Sequence, residues 1–215
     1  MIYQQFKRLG FSADWSKSVF TLDDHVLKQV WETFTKMEKE GLVYRDNYIV
    51  NFCTHCGTSL AELEIEHEER IDSLYYVRYS PEVVVSTTRP EPIWVDTHLA
   101  VNPKDKKNKH LIGQKVQNPL TGADMTIIGD EFVDPEFGTG IVKLTPAHDA
   151  TDFAVAKKHN LPIVTAIDMQ GRMINSGLKV AEARKQVVTE LQSKGLVEKI
   201  DEKYTHSVNT CYKCH

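Results

Sequence analysis

The chain has 215 residues, 41% of them hydrophobic and 26% charged, a near-average globular composition that excludes wholesale disorder and suits one large domain or two small ones. No run approaches the roughly 18 apolar residues of a membrane-spanning helix, and the N-terminus lacks a secretory signal, so a cytoplasmic protein without membrane contact is expected. Lys and Arg number 26 against 30 Asp and Glu, which leaves no basic footprint for bulk nucleic-acid binding; any such contact must be local.

Residues 21–42 predict one amphipathic helix, with Val26, Leu27, Val30, Trp31, Phe34 and Met37 on a core-facing stripe, Thr21 as N-cap and Gly41 past the C-terminus. Residues 43–50 and 60–66 are β-rich and predict strands on either side of a first cysteine pair. From residue 74 onward, short β-rich runs alternate with turn residues: LYYVRY, VVVSTT, HLAVN, KVQNPLTG, MTIIGDEFV, GIVKLT and IVTAI. This spacing predicts a small barrel or rolled sheet. Two helices interrupt it. One runs from Thr145, as N-cap with Pro146 at the first helical position, to just before Leu161-Pro162, and the other covers 180–195 with Val180, Ala183, Val187 and Leu191 on one stripe. The fold class expected is α+β.

The four cysteines fall in two CxxC pairs, Cys53/Cys56 and Cys211/Cys214. A two-residue spacer lets neighbouring thiolates take adjacent corners of a tetrahedron, so the two pairs together suit a closed structural Zn²⁺ site. Two disulfides are the competing reading, although a chain with a full core and no export signal has little need of them. A redox pair is a weaker rival, since neither CxxC precedes a convincing helix. His55 and His215 lie beside the cysteines as alternative ligands, against the plainer reading of solvated knuckle residues. If the pairs meet, the long loop between them closes, and a domain of about residues 72–199 emerges from a knuckle made of 51–71 and 200–215, behind a helical segment of 1–50.

Two segments carry the chemistry. Thr87, Thr88 and Arg89 end an apolar strand and offer hydroxyls and a guanidinium for a ribose or phosphate, against the plainer reading of an Arg paired with a surface carboxylate. In the second, FGTGIVKLTPAHDATD (137–152), a glycine-pinched turn feeds a strand and then a helix start. Lys143 and Thr145 share a strand face, and Asp149 and Asp152 share a helix face. Together they suit an amino acid held by its ammonium and a side-chain hydroxyl, while acids in a first helical turn also serve simply to complement the dipole. His148 is a base candidate with no Ser or Cys to complete a triad. Neither GxGxxG nor GxxxxGK[ST] is present, so no phosphate loop is expected.

The runs STTRPE, DEFVDPEFGTGIVKLTPAHDATDF and KKHNLP resemble the editing insertion of class I aminoacyl-tRNA synthetases for branched aliphatic amino acids, and within that family its valyl type. The resemblance extends over nearly the whole chain: RLGFSADWSKSVFTLDD and EKEGLVYRDNYIVNFC resemble the catalytic-domain stretch leading into the insertion, and HSVNTCYKCH its return through the zinc knuckle. It implies a β-barrel-like editing domain that hydrolyses the threonyl ester of mischarged tRNA(Val), or threonyl-adenylate, with a positioned water and no covalent nucleophile.

By the same resemblance, Asp152 grips the substrate ammonium, and Lys143, Thr145 and Asp149 recognise the threonyl hydroxyl and amino acid. Phe137 walls the pocket, with His148 as a further binding candidate, and Thr87, Thr88 and Arg89 contact the terminal adenosine at the tRNA 3′ end. One departure from the pattern is Pro92-Ile93-Trp94-Val95, where a Thr and a glycine-containing run are usual. HIGH-like and KMSKS-like signatures are missing, so the chain is expected to be a piece of a longer enzyme that works with the rest of the synthetase in cis. The alternatives are a leucyl-type editing domain and a zinc-stabilised module that binds an RNA end without hydrolysis.

Overall fold

The computed structural model describes residues 2–215 and divides the chain into two compact units, Met1–Tyr48 and Ile49–His215. The first holds helices α1 (Ile2–Arg8) and α2 (Asp24–Lys39). Asp23 rather than Thr21 holds the N-cap position of α2, its carboxylate accepting the Phe20 amide and not a helix amide, and the apolar stripe is not a buried core: Leu27, Val30, Trp31, Phe34 and Met37 are all exposed. A segment this short has too little surface to bury such a stripe against itself.

The second unit is mixed α+β, with three small sheets and two helices. Strands β1 (Asn51–Cys53) and β2 (Thr58–Leu60) form a hairpin. β3 (Ile65–Arg78) then pairs antiparallel with β4 (Val84–Thr87) on one side and with a strand near the C-terminus on the other. The last sheet has the order β6-β7-β5-β8, from β5 (His98–Val101), β6 (Lys115–Gln117), β7 (Asp124–Gly129) and β8 (Ile141–Lys143). Helices α3 (Ala150–His159) and α4 (Val180–Ser193) follow, and β9 (Val197–Cys211) returns along β3 for its whole length. Among the described residues no sheet closes on itself, so the barrel-like expectation reduces to open sheets packed on helices.

Alternation along β5 shows where the core sits. Leu99 joins Val77, Val85, Ile93, Ile127 and Leu191 in the main cluster, whereas the next residue, Ala100, joins Val133, Leu144 and Val155 in a second one supplied partly by α3. Each fully buried Leu or Ile in these clusters contributes roughly 1.5–3 kcal/mol. Lys143 lies opposite Leu99 in the ladder and so shares its face, while Leu144 turns toward α3.

Several expected elements differ. Residues 43–50 have no regular structure, and 60–66 divides among the end of β2, a 3₁₀ turn at Glu62–Glu64 and the start of β3. The 163–167 run makes only an isolated bridge, Ile167 to Met173, because the amides of Ala166 and Ile167 donate to the His148 ring instead of to a ladder. α3 starts at Ala150 and not after Thr145. Pro146–His148 close a turn on the Thr145 carbonyl, and Asp149 takes the cap. The departing run Pro92–Val95 is a 3₁₀ turn that buries Ile93 in one cluster and Val95 in another. No helix among the described residues is long and apolar enough to cross a membrane.

Candidate functional site

The long β3–β9 ladder brings the cysteine pairs together, since Ile65, just after the first hairpin, lies opposite Cys211. All four sulfurs sit within 4.8 Å of one another, with Cys53 Sγ 3.4 Å from Cys214 Sγ. Corners of a tetrahedron with metal–sulfur bonds of about 2.3 Å lie about 3.8 Å apart, so the donor set fits a metal and leaves no open position. Gly57 adopts φ 65° to close the first knuckle turn, where its amide donates to the Cys53 carbonyl. The thiols compete for protons. The Cys56 amide donates to Cys53 Sγ and holds that thiol down at about 6, whereas Cys214, sharing hydrogen bonds with Cys53 and Cys56, is pushed up to about 12.

A second cluster lies where β8 ends. Lys143, Thr145 and Asp152 are brought together there, all nearly buried. The Thr145 amide donates to Asp152 Oδ2 at 2.8 Å, and Lys143 Nζ donates to Thr145 Oγ1 at 2.6 Å. Burial pushes the Asp152 carboxyl up to about 6, against the pull of the Thr145 amide, and the nearby Asp149 charge adds to the rise. A group buried with its charge only partly answered is one that a cationic ligand would relieve.

Asp96, unflagged by the sequence reading, completes this cluster. Its side chain is fully buried; Oδ1 accepts the Thr145 hydroxyl at 2.6 Å and Oδ2 lies 3.2 Å from Lys143 Nζ. Asp96 follows the Ile93–Val95 turn, where the Asn118 amide donates to the carbonyls of both Ile93 and Asp96 and fixes the backbone. The only sequence signal was an acid set between apolar Val95 and the apolar strand at 98–101.

The other candidates occupy the rim or the scaffold. Asp149 is the N-cap of α3, accepting from the amides of Thr151 and Asp152 at 2.9 and 3.0 Å. His148 Nε2 accepts two amides, from Ala166 and Ile167, so its proton lies on Nδ1; burial, then Arg89 and Lys143, lower its pKa to about 4. A ring locked as an acceptor is a poor general base. Arg89 is exposed and donates to the His148 carbonyl at 3.2 Å, with Glu91 at 3.8 Å. Its amide donates to Thr87 Oγ1, while Thr88 is half-buried beside it. Glu91 is itself fully buried and gripped by both arms of Arg184. Phe137 is exposed and meets Tyr204 edge-on at 6.4 Å. Its turn packs so closely on β4 that a Cβ at Gly138 would fall 1.9 Å from Ser86 Oγ. That approach draws the 86–91 segment and the 137–152 segment together.

The chain belongs to the class I tRNA synthetases (I, L, M and V), whose family profile matches residues 1–193. Within that class it is similar to valine–tRNA ligases: that of Thermotoga maritima is 42% identical over 99% of this chain and 26% of its own length, and that of Geobacter sulfurreducens 43% over 99% and 25%. The Carboxydothermus hydrogenoformans ligase is 44% identical over the same shares. The chain thus spans about a quarter of the length of the curated relatives it matches. Among solved structures, a LeuRS–tRNA–LeuAMS ternary complex from Agrobacterium radiobacter K84 aligns over 96% of this chain and 35% of its own, at 17% identity and a TM-score of 0.43.

Proposed function

We propose that the second unit is the editing hydrolase of a valine–tRNA ligase, cleaving the threonyl ester from the 3′ end of mischarged tRNA(Val). The observation that carries this reading is the buried Lys143–Thr145 pair beside Asp152, a carboxylate poised to accept a cation. An aminoacyl ester supplies an α-ammonium for Asp152 and, when the amino acid is threonine, a hydroxyl for the pair. A pocket shaped for valine cannot strongly reject isosteric threonine, a limit for which valyl synthetases are themselves the standard worked example. A second site that needs the hydroxyl sorts the two, because valine would leave buried polar groups without partners.

The residues hold and orient; water attacks the ester carbonyl, and the ribose oxygen leaves. Positioning and electrostatic stabilisation are then the main contributions. Arg89, Thr87 and Thr88, on the rim, face the terminal adenosine, and Phe137 covers the amino acid. Residues 72–199 form this editing domain, 1–50 belong to the catalytic domain, and the remainder of the synthetase holds the tRNA body in cis.

Cys53, Cys56, Cys211 and Cys214 hold one structural Zn²⁺ in the knuckle of 51–71 and 200–215. Zinc supplies charge to keep four crowded sulfurs ionised together and so pins the base of the β3–β9 ribbon. Metal analysis should give one Zn²⁺ per chain, released by Cys53→Ser; freshly reduced protein without zinc would remove this assignment.

The decisive experiment is deacylation of threonyl-tRNA(Val) beside valyl-tRNA(Val), without ATP, with Asp152→Ala as control. Selective loss of the threonyl ester that the substitution abolishes supports the reading. Binding of a nonhydrolysable threonyl-adenosine analogue without any hydrolysis would point to a binding module, and preference for methyl-bearing esters to a leucyl-type site.

A further inference from the structure

Three groups meet in the buried cluster, and with Asp96 ionised against the Lys143 ammonium their chemistry leaves one arrangement of protons. A lysine ammonium only donates and a carboxylate only accepts, while a threonine hydroxyl has one proton and two lone pairs. Thr145 Oγ1 sits 2.6 Å from both Lys143 Nζ and Asp96 Oδ1, so it accepts from the lysine and gives its proton to the aspartate. One lone pair of Thr145 remains. Lys143 directs one N–H to Thr145 and is held against Asp96 Oδ2 at 3.2 Å by charge alone, without a hydrogen bond, so its ammonium keeps N–H capacity for a ligand. Asp96 has no exposed side-chain surface, whereas Lys143 keeps a little, so a ligand meets the lysine and threonine and not the aspartate.

We propose that Asp96 is the positioning residue that sets this polarity, so that Lys143 presents a free N–H and Thr145 a free lone pair to a ligand hydroxyl. A hydroxyl matches both at once, donating to Thr145 and accepting from Lys143. A methyl group matches neither and strands both. The inference rests on the threonyl reading above and deepens it, locating the selectivity in a residue that never touches the substrate. With an amide at position 96, the hydroxyl of Thr145 is free to turn and the ammonium loses its fixed partner.

The test uses the whole 215-residue chain and nonhydrolysable amide analogues of threonyl-adenosine and valyl-adenosine, with affinities measured by calorimetry. Wild-type protein should prefer the threonyl analogue, and Asp96→Asn should shrink that preference about tenfold or more while leaving the valyl affinity unchanged. A general loosening of the fold would weaken both analogues together. Asp96→Asn with the full threonyl preference overturns the inference and leaves the editing reading standing; wild-type protein that binds neither analogue, or both alike, overturns the reading itself and the inference with it. Should Asp96→Asn not fold, NMR of the wild-type protein decides. The Thr145 hydroxyl proton should exchange slowly and stay hydrogen-bonded to Asp96 when the threonyl analogue binds, and a hydroxyl that turns away to donate to the ligand would overturn the assignment.

Discussion

Helix α3 has a buried carboxylate at each end, and the two live under opposite electrostatics. Near its C-terminus, Asp130 Oδ2 accepts from Lys158 Nζ at 2.8 Å and pairs with His159 Nε2 at 2.7 Å, while Oδ1 takes the Phe132 amide at 3.1 Å. Burial raises its pKa, but the bonds from Lys158, His159 and Phe132 outweigh this and hold it at about 2. In the first turn, Asp152 has the helix dipole in its favour and still stands at about 6, because burial exceeds what the Thr145 amide returns. Asp130 is satisfied by the protein alone, tying α3 to the loop after β7. Asp152 keeps unmet capacity, which the function proposed above assigns to the ammonium of the substrate. On that proposal the difference separates a structural anchor from a binding site more sharply than solvent exposure does, which is low for both.

The largest effect should come from removing each carboxylate in turn. Asp152→Ala should reduce threonyl-ester hydrolysis by about a hundredfold or more in single-turnover deacylation. Asp130→Ala should leave the rate per folded molecule nearly unchanged but lower the melting temperature, through a loss of about 1–3 kcal/mol from its unpaired partners. Equal losses of rate in the two variants would erase the contrast.

Stability against pH sharpens the same contrast, with opposite signs. A carboxyl raised to about 6 on folding costs nothing while protonated in both states, and its penalty grows as pH climbs from about 4 through 6. Asp152→Asn should therefore match wild type near pH 4 and exceed it at pH 7.5 by up to about 3 kcal/mol, read from denaturant unfolding. Asp130 is lowered, so its contribution is complete above the ordinary carboxylate range and fades as pH falls toward about 2. Asp130→Asn should be less stable than wild type at neutral pH, with the gap narrowing in acid. A gap for Asp152→Asn that is independent of pH would mean its carboxyl is not raised.

Much of this was legible in the residues. The two CxxC pairs announced a shared site, and the period-2 spacing of Lys143 and Thr145 placed them together before Asp152. Asp96 was not legible, because its partners lie on another segment and only the β5–β8 pairing brings them near. Strand β9 was missed for a different reason. Its sequence, EKIDEKYTHSVN, is charged and shows little apolar alternation, and it is held to β3 by a backbone ladder that composition does not record. The helix start moved because the Thr145 hydroxyl, expected to cap α3, is committed to Asp96.

That displaced cap gives the smallest and most discriminating prediction. Asp149 sits beside the site and resembles a family recognition residue, yet its carboxylate accepts the Thr151 and Asp152 amides as an N-cap does. Capping needs an oxygen acceptor and not a charge, so Asp149→Ala should cost about 1 kcal/mol and Asp149→Ser or Asp149→Asn should restore most of it. Because the cap orients the backbone of Asp152, hydrolysis should fall and recover in step with stability across the three variants. If Ser and Asn restore the melting temperature without restoring the rate, Asp149 contributes its charge to the substrate directly, and the division between anchor and site runs through the cap itself.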